Sequence, residues 1–117
     1  MKVIWTELAK QQMRHIAKYI RINFGVTARK NFTEEIRHTN LLLATHPNIG
    51  GVEPLLDDCA KTYRSFVIKR HDKIVYHVGD DRIEVVAFWD CRQDPERLVS
   101  QIKTDEKQTK STTSKHC

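Results

Sequence analysis

The chain has 117 residues, of which 39% are hydrophobic and 30% charged, with a formal net charge of +5. That length fits one domain able to bury a core without metal or disulfides, and no apolar run approaches the ~18 residues of a membrane-spanning helix. A basic balance directs attention to acidic partners: nucleic acid, an anionic surface or an acidic protein segment.

MKVIW at the start is a strand-like run too short for the apolar core of a signal peptide, so none is expected. Thr6 is placed to cap a helix, with Glu7 facing the positive end of its dipole. Ala9, Met13, Ile16, Ala17, Ile20 and Phe24 recur at three-to-four spacing and form one apolar stripe, while Lys10, Gln11, Arg14, Lys18 and Arg21 fall on the wet side. Gly25 suits the end of that helix. A second helix is expected from about Thr27, with Ala28, Phe32, Ile36, Thr39 and Leu43 as its stripe, ending before Pro47. Two amphipathic helices with a short joint imply a helical hairpin. HPNIGGVEPLLDDCAK, with two Gly and two Pro, reads as loop.

TYRSFVIKR, KIVYHVG and RIEVVAFWD follow at hairpin distances and predict a three-stranded antiparallel meander. Two-residue turns at 71–72 and 80–81 would align Val67, Tyr76 and Val85 in one row. Tyr63, Ile74, Val78, Ile83, Ala87 and Trp89 would then share their apolar, helix-packed face. The opposite face would mix apolar and charged groups: Arg64, Phe66, Ile68, Arg70, Lys73, Val75, His77, Arg82, Glu84, Val86 and Phe88. A one-residue slip of register exchanges the two faces. The expected class is therefore α+β: a short N-terminal strand, a helical hairpin and a three-stranded antiparallel meander packed on the helices, over residues 1–102. Residues 103–117, KTDEKQTKSTTSKHC, have no aliphatic or aromatic side chain and are expected to form a flexible polar tail. The tail carries +2, which leaves +3 for residues 1–102.

On the mixed face, His77 beside Glu84 is a candidate acid/base pair; its bland rival is a cross-strand charge pair. Arg64, Arg70, Lys73 and Arg82, interleaved with aromatic side chains, favour binding of phosphate or carboxylate groups over a merely solvated strip. The six histidines are scattered without zinc spacing, so no metal site is expected, and no Gly-rich phosphate loop or other cofactor motif is present. Neither Cys59 nor Cys91 lies in a nucleophile signature, and three cysteines without a C-x-x-C pair fit a reducing cytoplasm.

WTELAKQQMRHIAKYI, followed by TYRSFVIKRHDKIVYHVGDDRIEVVAFWDCRQDPERL, resembles the RelE/ParE superfamily of toxins from type II toxin–antitoxin operons across about residues 1–102. The RelE-like branch, ribosome-dependent mRNA endoribonucleases, implies Lys on the first meander strand, Arg on the second, and Arg with a Tyr or His-Tyr pair at the exit. Here Arg64 and Phe66, then Lys73, then Arg92 occupy those places, and DCRQDPERLV holds neither Tyr nor His. The ParE-like branch, whose meander ends in R-x-D-x-E-R-x-L, is the closer resemblance: Arg92, Asp94, Glu96, Arg97 and Leu98 are similar, with Pro95 as a departure. That branch implies a gyrase poison with no catalytic centre of its own, causing growth arrest and serving plasmid stabilisation. It also implies neutralisation by a cognate acidic antitoxin, whose complex binds operator DNA, and a cytoplasmic location away from membranes. Arg64, Phe66, Arg70, Lys73, Arg92 and Arg97 are the residues expected to meet the target or the antitoxin. Asp94 and Glu96 are expected to pair with Arg92 and Arg97. The alternatives are the RelE-like endoribonuclease, with His77 and Glu84 as its acid/base groups, and a non-toxic basic binding module.

Overall fold

The computed structural model describes residues 1–68 and 72–109, the side chains of 106–109 excepted. The elements follow in the order β1 (Lys2–Trp5), α1 (Glu7–Phe24), α2 (Val26–Thr45), β2 (Gly51–Val52), a 3-10 turn (Pro54–Leu56), β3 (Arg64–Ile68), β4 (Asp72–Val78), β5 (Arg82–Asp90) and α3 (Pro95–Thr109). The expected α+β architecture is present. The strands form one sheet in the order β1-β5-β4-β3-β2, with β1 parallel to β5 and the other pairs antiparallel.

The hairpin forms as its sequence implies. The Thr6 hydroxyl accepts from the Ala9 N–H at 3.2 Å and caps α1. Gly25 adopts φ 99°, a left-handed conformation that frees the chain to turn directly into α2. The inner stripes of both helices then pack on the sheet, where Phe88 meets Phe32 edge-on at 5.7 Å and stacks with Trp5 at 6.1 Å. The Trp5 indole N–H donates to Asn40 Oδ1 at 2.8 Å and fastens β1 to α2.

The faces of the sheet differ from expectation at two places. Tyr76 pairs with Val85 as predicted, but on its other side it pairs with Arg64 rather than Val67. An offset of an odd number of residues turns over the whole of β3. Phe66 and Ile68 therefore join the helix-side core, while Val67 points the other way and is exposed. Farther along β4, a bulge places Val75 opposite Ala87 and leaves Val86 as the extra residue. Beyond it Phe88 turns to the helices, and Ala87 and Trp89 turn to the second face.

That second face is a core in its own right. α3 lays Leu98 and Ile102 over Val75, Val86, Ala87 and Trp89, with Tyr63 and Leu56 alongside. The open mixed face expected there is thus largely covered. α3 starts at Pro95, whose fixed φ suits a first helical position, and Asp94 caps it by accepting from the Glu96 N–H at 3.0 Å. The helix extends through residues 103–109, a part of the segment expected to be a tail; residues 110–117 lie outside the described ones. Among the cysteines, Cys91 is a free thiol, and Cys117 lies outside the described residues.

Gln12 links the layers. Its Oε1 accepts from the Phe88 N–H, beside the bulge, at 2.9 Å, and its Nε2 donates to Gln101 Oε1 at 2.9 Å. Replacing Gln12 with Ala strands a backbone donor next to the bulge, and a loss of about 1–3 kcal/mol is expected in chemical denaturation. Gln12→Glu, which keeps an acceptor for Phe88, should lose less.

Candidate binding surface and the placement of the charged residues

The residues picked out in the sequence do not converge on one site. Arg64 lies on the helix side of β3 and donates from Nη1 to the Gly50 carbonyl at 2.8 Å, which makes it a latch for the 46–53 loop. Tyr76 holds the same loop: its hydroxyl donates to the Pro47 carbonyl at 2.8 Å and accepts from the Gly50 N–H at 2.9 Å. Burial raises the Tyr76 phenol above its ordinary range, with the Gly50 bond and Arg64 opposing. A Cβ at position 50 would stand 2.7 Å from the Ser65 carbonyl oxygen, so the close approach requires glycine. Phe66 is half-buried, edge-on to Tyr76 at 6.3 Å. Arg70 lies outside the described residues.

Lys73 stands on the opposite face and is not a free cation. Its Nζ meets Glu53 Oε1 at 2.5 Å, with side-chain exposures of 15% and 3%. Glu53 is buried and also accepts from the Ser65 hydroxyl at 2.9 Å and the Leu55 N–H at 3.1 Å. Burial disfavours its charge, but hydrogen bonds from Lys73, Leu55 and Ser65 outweigh that effect and hold its carboxyl below the ordinary range. Sequence reasoning passed over Glu53 as part of a loop. The available signal was an acid directly before a Pro-initiated turn, the place of a cap.

The exit after β5 also differs from expectation. Arg92 pairs with Asp90, not with Asp94 or Glu96: Nε reaches Oδ1 at 3.0 Å and Nη2 reaches Oδ2 at 2.7 Å. Asp94 is occupied with capping α3, and Arg97 is exposed on its first turn. Leu98, one place earlier than in the R-x-D-x-E-R-x-L pattern, is 1% exposed and anchors the helix.

His77 and Glu84 do pair, with Nε2 and Oε1 3.1 Å apart. The imidazole is edge-on to Tyr63 at 5.8 Å, so its ring is held from two sides. The pair sits at the far end of β4 and β5. At ~3.3 Å per residue, His77 is roughly 13 Å along the strand from Lys73, and Glu84 roughly 20 Å from Asp90, the anchor of Arg92. Acid/base groups that far from Lys73 and Arg92 cannot serve one phosphate with them; Arg82, the predicted cation two residues before Glu84 on β5, lies nearer the pair and has Asp81 at 4.0 Å. Burial raises the Cys91 thiol, with Asp90 and Asp72 adding to that and Lys73 opposing it, which disfavours the thiolate. Among the described residues no cluster of metal-ligating side chains occurs.

What the fold does present is a cleft of about 590 Å³ at the joined end of the hairpin, beside Gly25. Ile16, Tyr19, Ile20 and Phe24 of α1 and Ala28 and Phe32 of α2 supply its apolar wall. Asp72, Asp90 and Arg92 form a charged end. Two of its lining side chains, Tyr19 and Phe24, are more than half exposed, as are Ile22 and Val26 around the Gly25 joint. An exposed apolar patch beside a cleft with a few charges has the composition of an interaction surface.

Residues 3–95 match the family described as the ParE toxin of the type II toxin-antitoxin system, parDE. The chain belongs to the ParE toxin family. The likeness in shape runs the same way. A chain of the chromosomal ParDE toxin–antitoxin system from P. aeruginosa is similar at 16% identity, with a TM-score of 0.63, over 77% of this chain and 95% of that one. A YoeB/ParE toxin from Agrobacterium tumefaciens is similar at 23% identity, with a TM-score of 0.52, over 77% and 98%. No curated protein sequence matches. The family match stops where α3 begins, so the helix that covers the second face of this ParE-family chain lies beyond the matched span. Membership in a toxin–antitoxin family implies an antitoxin as partner.

Proposed function

We propose that this ParE-family chain is a toxin that inhibits DNA gyrase, trapping it on cleaved DNA, and that a cognate acidic antitoxin neutralises it in the cytoplasm. The antitoxin's amphipathic segment occupies the hairpin cleft: its apolar side chains replace water on Tyr19, Ile20 and Phe24, and an acidic side chain competes with Asp90 for Arg92. The toxin–antitoxin complex, through the antitoxin, binds operator DNA. Growth arrest follows when the antitoxin is lost, the property that gives such pairs a role in plasmid stabilisation.

The separation of His77–Glu84 from Lys73 and Arg92 carries the choice between poison and ribonuclease. Cleavage of RNA by its neighbouring 2′-hydroxyl requires proton transfer and charge stabilisation at one phosphate. The acid/base pair stands at the opposite end of two strands from Lys73 and Arg92, which supports action by binding. The family match supports the same branch.

Induced expression in a bacterium distinguishes the readings. Growth arrest with a DNA-damage response is expected, and His77→Ala should arrest growth as strongly as the parent chain. Codon-positioned cuts in translated mRNA that vanish with His77→Ala would instead establish the ribonuclease.

A further inference from the structure

The net charge of this molecule is not spread over it. α1 carries Glu7 against Lys10, Arg14, Lys18 and Arg21, a net +3, which equals the whole excess of residues 1–102. Outside α1, positive and negative side chains in that span balance. The four cations also share a line. At 100° per residue they fall within an arc of about 80°, and from Lys10 to Arg21 the helix rises about 16 Å. All four are exposed. Arg14 has Glu7 at 3.8 Å, while Lys10, Lys18 and Arg21 have no acidic partner among the described residues. The inner side of the same helix is committed to the core through Ala9, Met13, Ile16, Ala17 and Ile20.

We infer that the outer face of α1 is a docking surface for the phosphate backbone of duplex DNA. It is distinct from the hairpin cleft and from the exit arginine, and it does not depend on gyrase. Four cations about one helical turn apart on one line, three of them without an acidic partner among the described residues, complement a row of phosphates and release condensed counterions on binding. The chemistry of the stripe narrows the partner. An acidic protein segment would require apolar anchors between the charges, and the line of cations holds none. Single-stranded nucleic acid would require aromatic platforms for its bases; Tyr19 and Phe24 instead meet each other edge-on at 6.3 Å beside the cleft. The major groove of B-form DNA accepts an α-helix, while the deep, narrow groove of duplex RNA does not.

The full chain, labelled duplex DNA and fluorescence anisotropy over a salt series test this. Binding in the range of about 10⁻⁴–10⁻⁶ M near physiological salt is expected, tightening steeply as salt is lowered. Lys10→Gln with Lys18→Gln and Arg21→Gln should lower the slope of log K against log salt by about 2–3. The same number of charges removed elsewhere, with Lys2→Gln, Lys30→Gln and Arg82→Gln, should leave most of the slope in place. Lys10→Arg with Lys18→Arg should keep binding, and thermal melts confirm that every variant folds. Four results would overturn the inference: no binding to duplex DNA at 50 mM salt (a condition of roughly the range where such contacts are strong), binding indifferent to the triple change, tighter binding to single-stranded RNA, or tighter binding to anionic phospholipid vesicles.

Discussion

Replacing Glu53 with Leu should destabilise the protein by about 3–5 kcal/mol, because it leaves the Lys73 ammonium inside the fold without its counter-charge. Glu53→Gln, which keeps oxygen and nitrogen near Lys73 and Ser65, should fall at the lower end of that range. The double change Glu53→Leu with Lys73→Met should recover most of the loss, since two apolar groups of similar volume remove both desolvation penalties. Equilibrium urea unfolding of the four proteins measures the coupling. The pair also imposes a pH dependence. Because the folded Glu53 carboxyl titrates below its unfolded value, its contribution is complete above the ordinary glutamate range and disappears as pH falls through the lowered folded value. Acid should therefore weaken the parent chain more than Glu53→Gln. Asp58, lowered by Lys103 on the surface, acts in the same direction in both proteins. One consequence concerns toxicity. Lys73→Ala would silence the toxin by unfolding it, so a lost phenotype says nothing of target contact unless stability is measured beside it.

The second large effect is expected at the hairpin cleft. Tyr19 is 55% exposed and Phe24 68%, too much for either to be a main support of the core. Their removal, Tyr19→Ala with Phe24→Ala, should change the melting temperature little. It should weaken the complex with the antitoxin from the adjoining reading frame by about 2–4 kcal/mol, roughly 30- to 1000-fold, as loss of aromatic anchors does. Titration calorimetry with purified partners provides the number. A folded double variant that binds antitoxin as the parent does would place the antitoxin elsewhere, and one that unfolds would show that these side chains support the core.

The helices were legible because their signals are local. Thr6 before Glu7, the three-to-four spacing from Ala9 to Phe24, and Gly25 at the joint each act within a few residues. The faces of β3 and of the end of β5 were not, because they depend on register. An odd offset between Tyr76 and Arg64 and one bulge at Val86 moved Phe66, Ile68 and Phe88 into the core and turned Trp89 to the other side. The register of β3 on β4 and a bulge are set by packing across the sheet, which pattern alone does not carry. The exit was misread for a related reason. Asp94-Pro95 followed by Leu98, Val99 and Ile102 is a helix start with an apolar stripe, yet its charges were expected to pair with one another and to meet a partner. Once α3 forms, Asp94 is engaged as a cap, and Arg92 turns to Asp90. The pairing of His77 with Glu84 was legible, because the β4–β5 turn fixes register near itself.

A supercoiling assay with purified gyrase tests the central claim most directly. The account predicts that the chain inhibits supercoiling and accumulates gyrase-bound, cleaved DNA, that His77→Ala does the same, and that antitoxin reverses both effects. Gyrase left untouched by a folded chain, together with RNA hydrolysis that collapses in His77→Ala, would contradict it.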